Sequence, residues 1–317
     1  MKRLVFSTGI PVLLLTLLLS ACSKPNQGLV IPEPTKGEAA PENEQPGPSG
    51  PTEPSSTLCS DIGQTPIVLA YFTEYTEVLP EPTLLTHINY AHGRFKNPKT
   101  GDGGIVITES KQAPISKVVA LKSKNPKLKV LLMIGGWGAH ADGFSMMARD
   151  AGKRTAFCQS VKSLLDKHQL DGVDIDWEYP TQSADNETGC DPKDTQNFNL
   201  VLQELRETLG TTKIFEYSVK YYEIPDILSK GVYRSKPLVR AVKRQWDATS
   251  MVPFLVDDSG KNVLSYDDPE SVEAKGKYIM AKGMLGGMFW EYRYDTADHA
   301  LLIPLVKALY GGKETVL

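Results

Sequence analysis

The chain has 317 residues and a formal net charge of −3, which comes from 35 basic and 38 acidic residues. The charges are nearly balanced and form no basic stripe, so nucleic acid is a poor candidate for a partner. The length that remains after the N-terminal segments described next is enough for one sizeable folded domain.

The N-terminus predicts an export signal. Two basic residues precede an apolar run over residues 4–19, which is the arrangement of a secretory signal. The run leads into Leu-Ser-Ala-Cys22, which resembles the lipobox of bacterial lipoproteins and implies cleavage before Cys22 and attachment of lipid to its sulfur. A transmembrane anchor is the alternative, but the run is short for a span. We expect residues 1–22 to be a lipoprotein signal peptide, and the exported protein to be held at the bacterial cell envelope (outer membrane or cell surface) by its lipid alone.

Residues 23–65 predict a tether. Prolines recur through this stretch among Gly, Glu and Ser residues. Such a composition cannot build a core, and the prolines keep the chain extended. We expect the tether to hold the folded domain, residues 66–317, away from the membrane.

The cysteines leave one pairing open. Beyond Cys22, the chain holds Cys59, Cys158 and Cys190. Cys158 lies within an apolar helical pattern and is predicted to pack as a buried apolar residue. A disulfide between Cys59 and Cys190 fits an exported protein, but the spacing does not decide it.

The folded domain alternates apolar strands with amphipathic helices. Three strands that are apolar on both faces are predicted at residues 67–72, 86–91 and 129–134. A helical stripe that includes Phe198 and Leu209 ends at Gly210, a helix-stop residue. The alternation predicts an α/β fold with a parallel sheet and helices outside it. Eight such units close a TIM (β/α)8-type barrel, with its active site at the carboxyl ends of the strands.

A fourth strand carries alternating acids. Asp174, Asp176 and Glu178 alternate with apolar residues. A period of two is typical of a β-strand, with the carboxylates on one face about 7 Å apart. Crowded carboxylates repel one another, so at least one is expected to keep its proton to an unusually high pH. A strand strained in this way usually serves chemistry.

Two other interpretations of the acidic strand are weaker. A solvated acidic face is common, but such faces usually mix charges because like charges side by side are unfavourable. A calcium loop also spaces acids at alternate positions, but its spacers are polar and it carries a mid-loop glycine. The apolar residues Val173 and Ile175 do not fit a loop of that kind.

The same run carries a family resemblance. The pattern Asp171-Gly-x-Asp174-x-Asp176-x-Glu178 resembles the signature of glycoside hydrolase family 18, the chitinases and endo-β-N-acetylglucosaminidases. The extension Trp-Glu-Tyr179-Pro resembles the chitinase side of that family. Further stretches resemble the family's second strand, its third strand and its eighth unit, in the right order: residues 86–91, 130–137, 265–269 and 286–291.

The sequence departs from the family's pattern in three places. Met133 stands where the third strand usually carries Ser, and the Met-x-Tyr-Asp run of the sixth strand is absent from the sequence. The match also jumps from about Leu209 to near Tyr221. We therefore expect an incomplete barrel, with strands five to seven largely missing and only an alternating stretch, residues 215–221, left as a candidate strand. Residues 221–268 resemble a remnant of the small α+β insertion that follows the family's seventh strand.

The resemblance implies a retaining hydrolysis in which the substrate supplies the nucleophile. The carbonyl oxygen of its 2-acetamido group attacks the anomeric carbon, an exception to the usual pair of carboxylates. Glu178 is expected to be the general acid and then the base. Asp176 is expected to accept a hydrogen bond from the acetamido N–H, and Asp174 to share a proton with Asp176. For Asp171 a structural role at the strand entry is expected.

Sugar rings present apolar faces, so aromatic platforms are expected beside the acids. Trp290 is the family's match for the floor under the cleaved sugar. Tyr179, Trp137 and Tyr71 are further candidates for substrate binding, and core packing is the alternative for each of these aromatics.

Two functions stay open for the chain. The acidic motif favours an exported hydrolase of β-1,4-linked N-acetylglucosamine polymers. Met133 and the absent Tyr-Asp pair favour a catalytically impaired family remnant that at most binds glycans. The residues do not separate chitin from N-glycan or peptidoglycan-derived substrates, nor internal from terminal cleavage. His92 and His140 are lone histidines without ligand spacing, so neither a metal nor another cofactor is expected.

Overall fold

The computed structural model describes residues 14–17, 65–181, 190–217, 243–256, 259–260 and 262–317. Several sequence predictions fall outside these residues. They are the lipobox with Cys22, the tether up to residue 64, Cys59, and the first part of the insertion-like segment, residues 221–242. Among the described residues, no helix has the length and apolar character needed to cross a membrane.

The described residues form two sheets and six α-helices. In chain order the strands are β1 (Leu14–Leu17), β2 (Ile67–Thr73), β3 (His87–Asn97), β4 (Asp102–Ile107), β5 (Lys129–Gly136), β6 (Gly172–Trp177), β7 (Ile214–Tyr217), β8 (Lys243–Asp247), β9 (Val252–Val256), β10 (Asn262–Ser265) and β11 (Gly286–Trp290). The helices are α1 (Ile115–Ala120), α2 (Phe144–Ala148), α3 (Ala151–His168), α4 (Asp194–Leu209), α5 (Pro269–Ala281) and α6 (Leu302–Leu309).

The main sheet has the order β1-β11-β2-β3-β5-β6-β7, and β4 pairs with β3 beside this path. From β11 to β7 all neighbouring strands are parallel. Strands β1 and β4 pair antiparallel with β11 and β3. The parallel strands follow the neighbour order of a (β/α)8 barrel that starts at its eighth strand. The carboxyl ends of these strands therefore lie together at one end of the sheet, which is the end where barrel enzymes carry their active sites.

Strand β7 confirms the first half of the candidate strand that was expected at residues 215–221. It pairs in parallel with β6, with Gly172 opposite Ile214, and so takes the place of a fifth barrel strand. Gly172 permits this pairing because a Cβ on it would lie 2.1 Å from the Ile214 carbonyl oxygen. The expectation that strand five is missing is therefore wrong. Since residues 218–242 lie outside the described part, the loss of strands six and seven stays a prediction.

A second, smaller sheet lies within the insertion-like segment. Strands β8, β9 and β10 pair antiparallel in the order β10-β9-β8. The sheet is tied to the start of α5 by Arg244, whose Nη2 lies 2.7 Å from a carboxylate oxygen of Asp268 and 2.7 Å from one of Glu270. Asp268 also caps α5, since its side chain accepts a hydrogen bond from the Ser271 N–H.

The core has two layers, one on each face of the main sheet. The larger layer lies between the sheet and the helices and includes Val173 and Ile175 of the acidic strand. A small apolar cluster covers the opposite, inner face and includes Tyr71, Ala91 and Met133. Burial on both faces explains why most of the strands read as continuous apolar runs.

The predicted strands and the predicted helix stop are confirmed by β2, β3, β5, β6 and α4, with Gly210 directly after the last residue of α4. Cys158 is buried in α3 as predicted, and Cys190 is exposed and free. The β3–β4 hairpin is the main element that the sequence patterns missed. Strand β3 runs past its predicted end to Asn97 before the chain turns back into β4.

Candidate active site

Two of the three acids, Asp174 and Asp176, lie on the inner face of β6, and the third follows just beyond the carboxyl end of that strand. Asp174 is 1% exposed and Asp176 is 9% exposed, while Val173 and Ile175 on the other face are fully buried. Glu178 follows the last residue of β6 and is half-buried. The predicted alternation is therefore confirmed, and the carboxylates run from the interior to the surface in chain order.

Asp174 is held by two hydrogen bonds from strands β2 and β3, which do not adjoin β6. The Tyr71 hydroxyl donates to Asp174 Oδ2 at 2.7 Å, and the Asn89 Nδ2 group donates to the same oxygen at 3.0 Å. Burial raises the pKa of Asp174 to about 6, although both hydrogen bonds oppose the rise. One carboxyl group of the strand thus keeps its proton to an unusually high pH, as predicted. Its main cause is removal from water and not the repulsion between acids from which the prediction was made.

Met133 has a clear place in this arrangement. It lies beside Asp174 in the β5–β6 register and is buried in the inner cluster. Its thioether cannot replace the hydroxyl hydrogen bond of a serine. Tyr71 of β2 and Asn89 of β3 supply hydrogen bonds to Asp174, so the departure at Met133 does not leave Asp174 without support. Asn89 is a site residue that the sequence prediction did not include.

The glycine pair at the end of β5 lets this strand approach β6 closely. Gly135 lies opposite Asp176 in the register and has a φ of +104°. A Cβ on Gly135 would lie 2.2 Å from the Asp176 carbonyl oxygen. A larger residue would therefore displace Asp176, and the left-handed conformation also favours glycine.

Four aromatic residues predicted to bind substrate gather around the acids. The Tyr179 hydroxyl donates to Glu178 Oε2 at 2.8 Å. Trp137 stands edge-on to Tyr179 with ring centroids 6.3 Å apart, and it is 65% exposed. Trp290, at the end of β11, packs against Tyr71 with centroids 5.3 Å apart. An exposed tryptophan and a half-buried one therefore flank the carboxylates.

A second polar cluster lies next to Trp290. Glu74 accepts from His92 Nδ1 at 2.6 Å and from Arg94 Nη2 at 2.7 Å. The His92 ring stacks on His140 with centroids 4.1 Å apart. The prediction that the two histidines stand alone is therefore wrong. Within the ranges that the structure describes, no group of three or more His, Cys, Asp or Glu side chains is arranged to hold a metal ion.

Asp171 lies at the other end of the strand, just before Gly172. Its Oδ2 accepts from the Val130 N–H at 2.8 Å, and Lys122 Nζ lies 2.6 Å from the same oxygen. Asp171 therefore joins the start of β6 to β5 and does not reach the face that carries the other acids. This placement fits the structural role expected for it.

Comparison with known proteins points to one family. The family model described as glycosyl hydrolases family 18 matches residues 67–216 and 211–295. The alignment with Chitinase A1 from Niallia circulans is 367 positions long at 24% identity, and it covers 79% of this chain and 50% of that protein. The chain is 27% identical to class V chitinase CHIT5 from Lotus japonicus over 277 residues, which cover 79% of this chain and 66% of that protein. The chain thus spans only half to two thirds of the length of these relatives.

The fold has a counterpart among solved structures. Chitinase ChiA74 from Bacillus thuringiensis superposes with a TM-score of 0.63 at 20% identity, over 78% of this chain and 70% of that chain. At this level of identity the likeness concerns the fold alone. It identifies the six parallel strands as part of a TIM-barrel-like α/β fold.

Proposed function

The chain belongs to family 18 of the glycosyl hydrolases, and from this premise we propose that it is an exported glycoside hydrolase that cleaves β-1,4-linked N-acetylglucosamine polymers such as chitin. The observation that carries the proposal is the acidic strand. Asp174 is buried, has a pKa raised to about 6 by that burial, and is hydrogen-bonded by Tyr71 and Asn89. Such a carboxyl group costs stability, and an arrangement of this kind is typical of catalytic sites.

We propose that Glu178 exchanges protons with the substrate. It is the outermost of the three acids, and one of its oxygens accepts from the Tyr179 hydroxyl at 2.8 Å. We assign Glu178 the role of the general acid that protonates the leaving oxygen, and then the role of the base that activates water. Its half-buried position gives access to a glycan from the open end of the sheet.

We assign Asp176 and Asp174 the role of assisting the acetamido group, which is the substrate's own nucleophile. The acetamido oxygen attacks the anomeric carbon, and positive charge develops on the ring that forms. Asp176 lies one step deeper than Glu178 on the same face and would accept from the acetamido N–H. Asp174, below it, takes up a proton near pH 6, so it can share one with Asp176 as the charge on Asp176 changes.

The aromatic side chains would hold the sugar rings. We assign Trp290 the floor under the cleaved sugar, because it lies against Tyr71, the residue bonded to Asp174. Trp137 and Tyr179 flank Glu178 on the other side and would carry the neighbouring sugar. Apolar sugar faces pack on such rings, while the hydroxyl groups at the rim stay free for hydrogen bonds.

The proposal extends to the location of the enzyme. The apolar run before Cys22 and the proline-rich tether support export and a lipid anchor at the cell envelope. A lipid-anchored hydrolase on a long tether would act on glycans near the surface of the cell.

A second candidate function is glycan binding without turnover. The absent Met-x-Tyr-Asp run favours it, because the family uses that tyrosine and aspartate to grip the acetamido group. Met133 beside Asp174 was a further reason for it, but the hydrogen bonds from Tyr71 and Asn89 weaken that reason.

Hydrolysis of a chromogenic chito-oligosaccharide by the purified chain tests both candidates. If the hydrolase proposal holds, Glu178→Gln lowers turnover by about 10²–10⁴-fold, because it removes the proton donor and keeps the shape. The same variant should still bind chito-oligosaccharide. Glu273→Gln on α5, which removes an ion pair with Lys277 far from the acids, is the matched control. Binding without any release of the chromophore by the parent chain would favour the second candidate, and turnover of Glu178→Gln within threefold of the parent would contradict the role of Glu178.

A further inference from the structure

His92 occupies an irregular position at the mouth of the site. In the pairing of β3 with β5, Ala91 lies opposite Met133 and Gly93 lies opposite Ile134, so His92 is an extra residue in β3. Such a bulge turns a side chain away from the regular alternation, and bulges are common beside active sites. The His92 ring lies 6.1 Å from Trp290 between centroids. It also lies close to the end of β5, since a Cβ on Gly136 would be 3.5 Å from its Cδ2 atom.

Glu74 fixes the orientation of the His92 ring. Its Oε2 lies 2.6 Å from Nδ1, while its Oε1 accepts from Arg94 at 2.7 Å. Burial alone would raise the pKa of Glu74, but the hydrogen bond from His92 and the charge of Arg94 hold it below its usual value. Glu74 is therefore ionised and accepts the proton on Nδ1. In the neutral ring this leaves Nε2 as an acceptor.

His140 supports the ring from one face. The two rings are nearly parallel, with centroids 4.1 Å apart and planes inclined by 23°. Burial lowers the pKa of His140 to about 4, and the nearby charge of Arg94 acts in the same direction. His140 is therefore uncharged near neutral pH and packs against His92 as an aromatic ring.

The second ring nitrogen of His92, Nε2, makes no hydrogen bond within the described part of the chain. The ring is 3% exposed. In the described part of the chain, the only hydrogen bond of this ring is the one at Nδ1. The Nε2 atom keeps some contact with solvent. The His92 ring is thus held by a bulge, by Glu74 with Arg94, and by the stacked ring of His140. The ring lies beside Trp290, the tryptophan that would carry the sugar.

We propose that His92 is a specificity-determining residue, whose Nε2 accepts a hydrogen bond from a hydroxyl group or the acetamido N–H of the sugar that lies on Trp290. Glu74 is a positioning residue that acts through His92. This inference rests on the proposed function, since it needs a glycan on Trp290. Pre-organised side chains of this kind select a ligand by its polar groups, because a ligand without the matching donor leaves the buried acceptor unpaired.

Binding of chitotetraose, measured by calorimetry in the full chain carrying Glu178→Gln, tests the proposal without turnover. His92→Phe keeps an aromatic ring in the stack and removes both nitrogens. We expect it to weaken binding by about fivefold to tenfold, the usual effect of one lost hydrogen bond. The control is Glu273→Gln on α5, which removes an ion pair with Lys277 and has no part in holding His92, and which should stay within about twofold of its parent.

A measurement on the unsubstituted ring keeps the test independent of folding defects. Nitrogen-15 NMR of the imidazole groups in Glu178→Gln reports the tautomer of His92 and the state of Nε2. We expect the Nδ1–H tautomer in the free protein, a mixture of tautomers after Glu74→Gln, and a shift of Nε2 when chitotetraose is added.

The indole N–H signal of Trp290 separates the two proposals. If chitotetraose moves the Trp290 signal and leaves His92 Nε2 unchanged, with His92→Phe binding as tightly as its parent, the role of His92 is wrong and the hydrolase proposal stands. If neither signal moves at saturating chitotetraose and calorimetry shows no heat, both proposals are wrong.

Discussion

Replacement of Asp174 by asparagine should stabilise the protein and impair it at once. Asparagine keeps the shape of the side chain, and its amide oxygen can accept the hydrogen bonds that Tyr71 and Asn89 now donate to Asp174 Oδ2. It carries no charge, so the folded protein no longer has to ionise a carboxyl group that is 1% exposed. The gain should depend on pH, because only the ionised form of Asp174 is unfavourable in the folded state.

The magnitude follows from the raised pKa. Burial moves the pKa of Asp174 from 3.8 to about 6. A shift of about two pH units corresponds to about 3 kcal/mol, taken as an upper bound. The folded state binds more protons than the unfolded state between these two values. The contribution of Asp174 to the free energy of unfolding is therefore fully present below about pH 4 and is lost as the pH rises through about 6.

Urea denaturation followed by circular dichroism at pH 4 and at pH 7 measures this difference. For Asp174→Asn we expect a gain in unfolding free energy of up to about 3 kcal/mol at pH 7 and almost none at pH 4, together with lower turnover. Asp171→Asn is the control, since Asp171 pairs with Lys122 and accepts a hydrogen bond from the Val130 N–H at the far end of β6. It should lose about 1 kcal/mol at pH 7. A gain for Asp174→Asn that is equal at both pH values, or a loss at pH 7, would refute the reasoning.

Two further predictions concern the binding surface and the anchor. Trp290→Ala should weaken the binding of chitotetraose by about tenfold or more, because it removes the proposed apolar floor under the sugar. The control Trp246→Ala, in the small sheet, should leave binding unchanged. Calorimetry in the Glu178→Gln background measures both variants, and equal losses of affinity would contradict the assignment of Trp290. Cys22→Ala should move the protein from the membrane fraction to the soluble fraction of the cell, because it removes the site of lipid attachment; sedimentation with membranes after a high-salt wash would count against the lipid anchor.

The sequence was sufficient for features that depend on neighbours along the chain. The alternation of acids with Val173 and Ile175 predicted a strand with an apolar face and an acidic face, and both faces are found as predicted. The burial of Asp174 and Asp176 was not part of that prediction. The end of α4 at Gly210 could also be predicted from the sequence, since a glycine that follows a helical stripe ends the last turn. Such signals are local, because they depend on side-chain period and backbone preference.

The partners of Asp174 could not be derived from local pattern. Tyr71 lies 103 residues away and Asn89 lies 85 residues away along the chain, so their contacts exist only after β2, β3, β5 and β6 pair. One signal was present in the sequence. Asn89 is a polar residue between Ile88 and Tyr90, and a buried amide in an apolar strand needs a partner.

The Glu74–His92 pair had a signal of another kind. Each residue lies close to the carboxyl end of its run of apolar strand residues, and β2 and β3 are adjacent and parallel, so their ends meet. What spacing alone did not show was the bulge in β3 that turns His92 toward Trp290. The β3–β4 hairpin was missed because β4 contains two glycines and gives only a weak alternating pattern.

The central claim is that the acidic strand cleaves a glycosidic bond with the help of the substrate's acetamido group. The most direct measurement compares the release of nitrophenol from nitrophenyl β-chitobioside and from nitrophenyl β-cellobioside, which differ at the 2-position in acetamido against hydroxyl. We expect turnover of the chitobioside and a rate on the cellobioside lower by at least about 10³-fold, because an intramolecular nucleophile is worth several orders of magnitude. Release from both substrates at similar rates, or from neither, would contradict the claim.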